Sequence, residues 1–141
     1  MPDSYDLRRF VDAQHSIYDR ALAELHAGHK QSHWMWFVFP QIVGLGRSAM
    51  AQRYAIADLN EAIAYLQHPL LGPRLEECAQ ALLQHSDRTA RQMLGSPDDL
   101  KLHSSMTLFA AAAPEHVAFQ QVLNAFYDGE ADRETLKRLR S

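Results

Sequence analysis

Apolar residues recur in this chain at spacings of three and four, segment after segment, and that period leaves helices as its main building material. Leu7, Phe10, Val11, Tyr18, Ala21, Leu22 and Leu25 make one such stripe, which predicts a helix over 4–27 with a single buried face. Gly28 supplies a left-handed stop. Residues 48–54 read as a short helix. Residues 58–67 read as a longer one, opened by Asp58 and Glu61 in a capping-box pattern, with Leu59, Ala62, Ile63 and Leu66 inward. Pro69 separates it from a helix bearing Leu75, Ala79, Leu82 and Leu83, and a short helix over 89–94 ends at Gly95. Ser96-Pro97-Asp98-Asp99 offers an N-cap serine, a proline at the first helical position and an acidic first turn. The helix it starts runs to Ala112, ahead of Pro114. Residues 115–127 follow, with Phe119, Val122, Leu123 and Phe126 inward and Gly129 as the stop, and Asp132 caps a last helix. No hairpin turn flanked by alternating residues occurs. The expected fold is all-α: a compact multihelical single domain over residues 1–141 with one long aromatic loop.

That loop, SHWMWFVFPQIVGLGRS at 32–48, holds both tryptophans of the chain. Its middle neither alternates nor shows a helical period. A helical turn ending before Pro40 is favoured, because the residue before a proline resists helical geometry. An extended segment has no second strand-like stretch to satisfy its backbone. Trp34–Phe39 is far shorter than the ~20 apolar residues of a membrane span, so no membrane is expected.

Length and charge narrow the function classes. A chain of 141 residues reads as one domain. With 14 Lys+Arg against 17 Asp+Glu, its net charge of −3 gives no electrostatic motive for binding nucleic acid. The basic residues of 137–140 suit a helix C-terminus. Cys78 is the only cysteine, so no intrachain disulfide and no cysteine-based zinc site can form. This fits a reducing compartment. The first residues carry no apolar signal core, and a cytoplasmic location is expected.

Candidate chemistry is sparse. His26, His29 and His33 lie near one another, but Gly28 interrupts them and no acid or cysteine completes a metal set; neither metal nor cofactor is expected. Gly44-Leu45-Gly46 lacks the third glycine and the βα context of a dinucleotide fingerprint. More informative is the 101–109 segment, where Lys101, Ser104, Ser105 and Leu108 share one helical face. Polar groups on an inward-leaning face must be paired or must bind something. The serines can back-bond to helix carbonyls while Lys101 reaches water. Alternatively, Lys101 with Ser104 and Ser105 forms one wall of a pocket for an anionic group. The aromatic loop would supply the other wall: flat surfaces and indole N–H donors from Trp34 and Trp36, the amide of Gln41, and Arg47 and Ser48 beyond the glycine turn. Both tryptophans filling the core is the competing account.

The motifs HWMWFVFPQ (33–41), GLG-x-S (44–48), HPLLGPRL (68–75) and KLHSSMTLF (101–109), in this order, resemble a family of bacterial and fungal domains of about this length and of unknown function. The family is sometimes labelled calpastatin-like. That label sits badly here, because calpastatin is disordered and repetitive whereas this chain is helix-patterned. The resemblance covers nearly the whole chain and implies an all-helical single domain, without a reaction.

Three functions compete. A small ligand-binding protein or enzyme would hold a phosphorylated or nucleotide-like molecule between 33–41 and 101–105, with His33 or His68 as candidate general acid–base groups. A protein-interaction module would use exposed tryptophans as anchors; a homodimer fits either reading. A structural domain would need no pocket.

Overall fold

The computed structural model describes residues 5–140. Among them the chain forms ten helices: α1 (Arg8–Gln14), α2 (Tyr18–Ala27), α3 (Met35–Val38), α4 (Ala49–Arg53), α5 (Leu59–Gln67), α6 (Leu71–Leu83), α7 (Ala90–Leu94), α8 (Asp98–Ala112), α9 (Val117–Phe126) and α10 (Arg133–Leu139). The all-α expectation holds. At the centre is α8, packed on α5, α7, α9 and α10, while α6 closes the far side against α2, α5 and α9. Its stretch from Leu102 to Phe109 is buried at every position except His103. A helix buried on nearly all sides has no polar face to present to water.

Glycine and proline end the helices where the sequence places them. Gly28 takes φ +71°; its N–H donates to Leu25 O and that of His29 to Glu24 O, a Schellman closure that satisfies two terminal carbonyls. The turn α3 ends at Phe39, ahead of Pro40.

Four local expectations are corrected. The first helix, expected over 4–27, is two helices joined through His15–Ile17; its first expected residue lies outside the described region. The buried positions Phe10, Gln14, Tyr18, Ala21 and Leu25 keep their spacing through the break, so the period could not reveal it. In α5 the buried face is Glu61, Ala62 and Tyr65, with Leu59 37% exposed; an ion pair described below draws Glu61 inward. Helix α8 starts at Asp98 after Pro97, with no side-chain cap, so Ser96 is not the N-cap. Finally, the segment after Pro40 does have a partner: Ile42 and Ile56 form an isolated parallel bridge.

Candidate functional site

The bridge turns residues 41–46 into a ridge held on one side by residues 53–57. Ile56 N–H donates to Gln41 O and Val43 N–H to Ile56 O, each at 2.8 Å. The 53–57 segment is clasped in turn by two side chains. Arg9 donates to Arg53 O and Ala55 O, each at 2.8 Å, and to Glu61 Oε2 at 2.9 Å. Glu61 Oε1 accepts Ala57 N–H at 2.8 Å, while Asp58 caps α5 by accepting Glu61 N–H. The Asp58 half of the expected capping box therefore forms in place, while the return bond of Glu61 goes to Ala57 N–H rather than Asp58 N–H, and the acid doubles as an ion-pair partner. At the crest, Gly44 has φ +96°, and a Cβ there would collide with the Arg138 guanidinium. The left-handed φ favours glycine there, while the exposed Arg138 side chain could move aside.

An open groove of about 300 Å³ runs between this ridge and the α8–α10 corner. Gln41, Leu45 and Gly46 form one wall, Lys101 and Ser104 the other, and Asp132 and Glu134 close one end. Lys101 Nζ lies 3.5 Å from Asp98 Oδ1, and the other oxygen of Asp98 holds Lys30 Nζ at 2.8 Å. Each lysine also sits above a tryptophan: Lys30 Nζ is 5.2 Å from the Trp34 ring centre and Lys101 Nζ 5.1 Å from that of Trp36, within cation–π reach. Ser104 Oγ has two acceptors in range, Leu100 O at 3.2 Å and Asp132 Oδ2 at 3.1 Å. It has one proton, so it serves one of them at a time. Asp132 caps α10 by accepting Thr135 N–H and Oγ1–H.

The expected site residues thus divide. Gln41, Lys101 and Ser104 come together in the groove. Trp36 is half-buried beneath Lys101. Trp34 is fully buried, its indole N–H donating to Glu24 Oε1 at 2.9 Å. Glu24 also accepts from Gln31 N–H, Ser32 N–H and Ser32 Oγ–H. Burial pushes the Glu24 carboxyl up, but the hydrogen bonds from Ser32, Gln31 and Trp34 outweigh it and hold the group down at about 2. Arg47 and Ser48 are exposed, and Ser48 caps α4 through Ala51 N–H at 3.1 Å. Ser105 is fully buried, and its hydroxyl has no partner among the described residues. His33 is exposed and lies outside the groove lining. His68 Nδ1 accepts Leu70 and Leu71 N–H at 3.1 and 3.3 Å, which ties it to the start of α6.

The HPLLGPRL stretch is a packing corner. A Cβ at Gly72 would collide with Leu66 O. Arg74 stacks 4.4 Å over the Tyr18 ring and donates to Gln14 Oε1. Sequence reasoning missed Lys30, Asp98, Asp132 and Glu134 as neighbours of the site. Asp98 and Lys101 stand three apart on a helix, a visible pairing signal; Lys30 and Glu134 carry none.

An all-helical domain built on one core, with a groove of mixed apolar and polar lining between a pinned loop and its central helix, is the class these features define. The chain belongs to the family described as "Protein of unknown function (DUF1810)", which it matches over residues 4–139. It is similar along 99% of both chains to the conserved hypothetical protein Rv1873 from Mycobacterium tuberculosis, with 52% identity and a TM-score of 0.97 to that crystal structure. No curated protein matches it. Neither description carries the calpastatin-like label. Among the described residues no helix is long and apolar enough to cross a membrane.

Proposed function

We propose that this protein binds a small phosphorylated or nucleotide-like molecule in the groove between residues 41–46 and α8. The observation that carries this reading is the convergence there of a cation, an amide and a hydroxyl (Lys101, Gln41 and Ser104) from segments distant in the chain. The volume of about 300 Å³ falls at the lower end of the range for small-molecule sites, which suits a sugar phosphate or mononucleotide. Asp132 and Glu134 face the same groove. A bare anion would be repelled by them, so the ligand's negative group belongs on Lys101 and its hydroxyl donors on the two acids. Lys101 meets Asp98 only at 3.5 Å, a loose pairing that a phosphate can replace. The role is binding: His33 and His68 stand outside the groove, and no catalytic step is assigned to them.

Calorimetric titration with ribose 5-phosphate and AMP at low salt tests the reading. Binding is expected in wild type and at least about tenfold weaker, about 1.4 kcal/mol, in Lys101→Ala. No heat with either compound, or equal affinity in the variant, would sink it.

A second reading, a protein-interaction module, draws on exposed apolar groups. Leu100 is 60% exposed at the groove and Val43 48% on the ridge. With Trp34 buried, these two replace the tryptophans as candidate anchors, in a homodimer or with another protein. Sedimentation of wild type and Leu100→Lys separates the homodimer from the monomer.

A further inference from the structure

The ridge has a second cleft on its other flank, also of about 300 Å³, between residues 42–43, the start of α5 and the end of α10. Val43, Leu59 and Leu139 give it apolar walls; Arg138 and Asp58 are its two charged side chains. Val43 and Leu59 remain 48% and 37% exposed, so apolar surface inside a concavity is left against water.

The cation here differs from the one in the first groove. Lys101 is engaged by Asp98 and Trp36, and Arg9 by Glu61. Among the described residues the Arg138 side chain has no hydrogen bond, ion pair or ring contact, and its guanidinium lies beside Gly44. The guanidinium is exposed at the rim of the cleft, where a ligand can reach it. A planar guanidinium presents parallel N–H donors that match a carboxylate. Arg138 is the single cation of the cleft, which suits a ligand with one negative group.

We propose that this cleft is a binding site for a small organic monocarboxylate with an apolar body. The carboxylate lies on Arg138 and the body against Val43, Leu59 and Leu139. The site is independent of the Lys101 groove.

Backbone amide NMR of the full chain, titrated with octanoate, tests it. Saturable shifts confined to 42–44, 57–59 and 136–140 are expected. Octanol, which lacks the charge, and acetate, which lacks the body, should each bind at least tenfold more weakly. Arg138→Gln should weaken octanoate at least tenfold and Leu59→Gln several-fold, both with otherwise unchanged spectra, whereas Lys101→Ala leaves octanoate affinity intact. Failure to saturate, wild-type affinity in Arg138→Gln, or acetate and inorganic phosphate binding as tightly as octanoate would each overturn the proposal. Should Arg138→Gln not fold, Arg138→Lys gives the same reading, since an ammonium loses the two-pronged fit.

Discussion

Glu61 is 2% exposed, and its carboxylate is tolerable there because the Arg9 guanidinium and the Ala57 N–H donate to its two oxygens. Removing one partner of a buried ion pair strands the other, at a cost of about 3–5 kcal/mol. Arg9→Met is therefore expected to lower unfolding free energy by about that much in urea titrations, while Arg8→Met, at an exposed site, stays within about 0.5 kcal/mol. Gln14 is a second case. It is 1% exposed, donates to Phe37 O at 2.6 Å and accepts from Arg74. Gln14→Leu fits the volume but leaves that carbonyl unpaired, a loss of about 1–3 kcal/mol. Neither residue declares its burial in the sequence. Gln14 interrupts an apolar stripe, and Glu61 reads as an ordinary helix-start acid, because the partners that justify them lie 23 and 52 residues away.

Helix ends were the most legible elements, since they depend on neighbours along the chain. Gly28, Gly95 and Gly129 all take positive φ, and Asp58 and Asp132 cap as expected, although Ser96 does not. Which face of α5 turns inward was not legible, because Leu59 and Glu61 exchange roles through a contact with α1. Asp132 joins α10 to α8 through Ser104 and Thr107. Asp132→Ala is expected to cost about 1–2 kcal/mol and to fray α10, seen as faster amide exchange from 133–136. Glu24 ties the 31–34 link to α2. Its folded pKa lies near 2 against an ordinary 4.5, so its contribution is complete above pH 4.5 and is lost as pH falls towards 2. The stability gap between wild type and Glu24→Gln should therefore close over that interval in chemical melts.

Across the whole molecule, one apolar cluster reaches from Leu7 to Leu123, and Cys78 sits inside it with no exposure. Burial pushes its thiol up to about 12, with the Tyr18 hydrogen bond pulling the other way. A neutral, enclosed thiol reacts only when the core opens. Labelling by a disulfide reagent should accordingly track global unfolding: its rate rises with each destabilising substitution above and stays flat when Lys101 or Arg138 is changed. The groove was half legible. The polar punctuation of α8 and the amide at Gln41 identified two of its walls. The acids that set its polarity, and the guanidinium on the ridge's far flank, enter through α10, which the sequence marks only as a capped, basic helix.

The two tryptophans give the molecule a pair of built-in optical reporters with different territories. Trp34, sealed and bonded to a carboxylate, should emit at short wavelength and ignore aqueous iodide. Trp36, half-open beneath an ammonium beside the groove, should emit further to the red and be quenched. Difference fluorescence between Trp36→Phe and wild type therefore isolates a signal at the groove's edge, so events there can be followed without a label while Trp34 records whether the core has stayed shut.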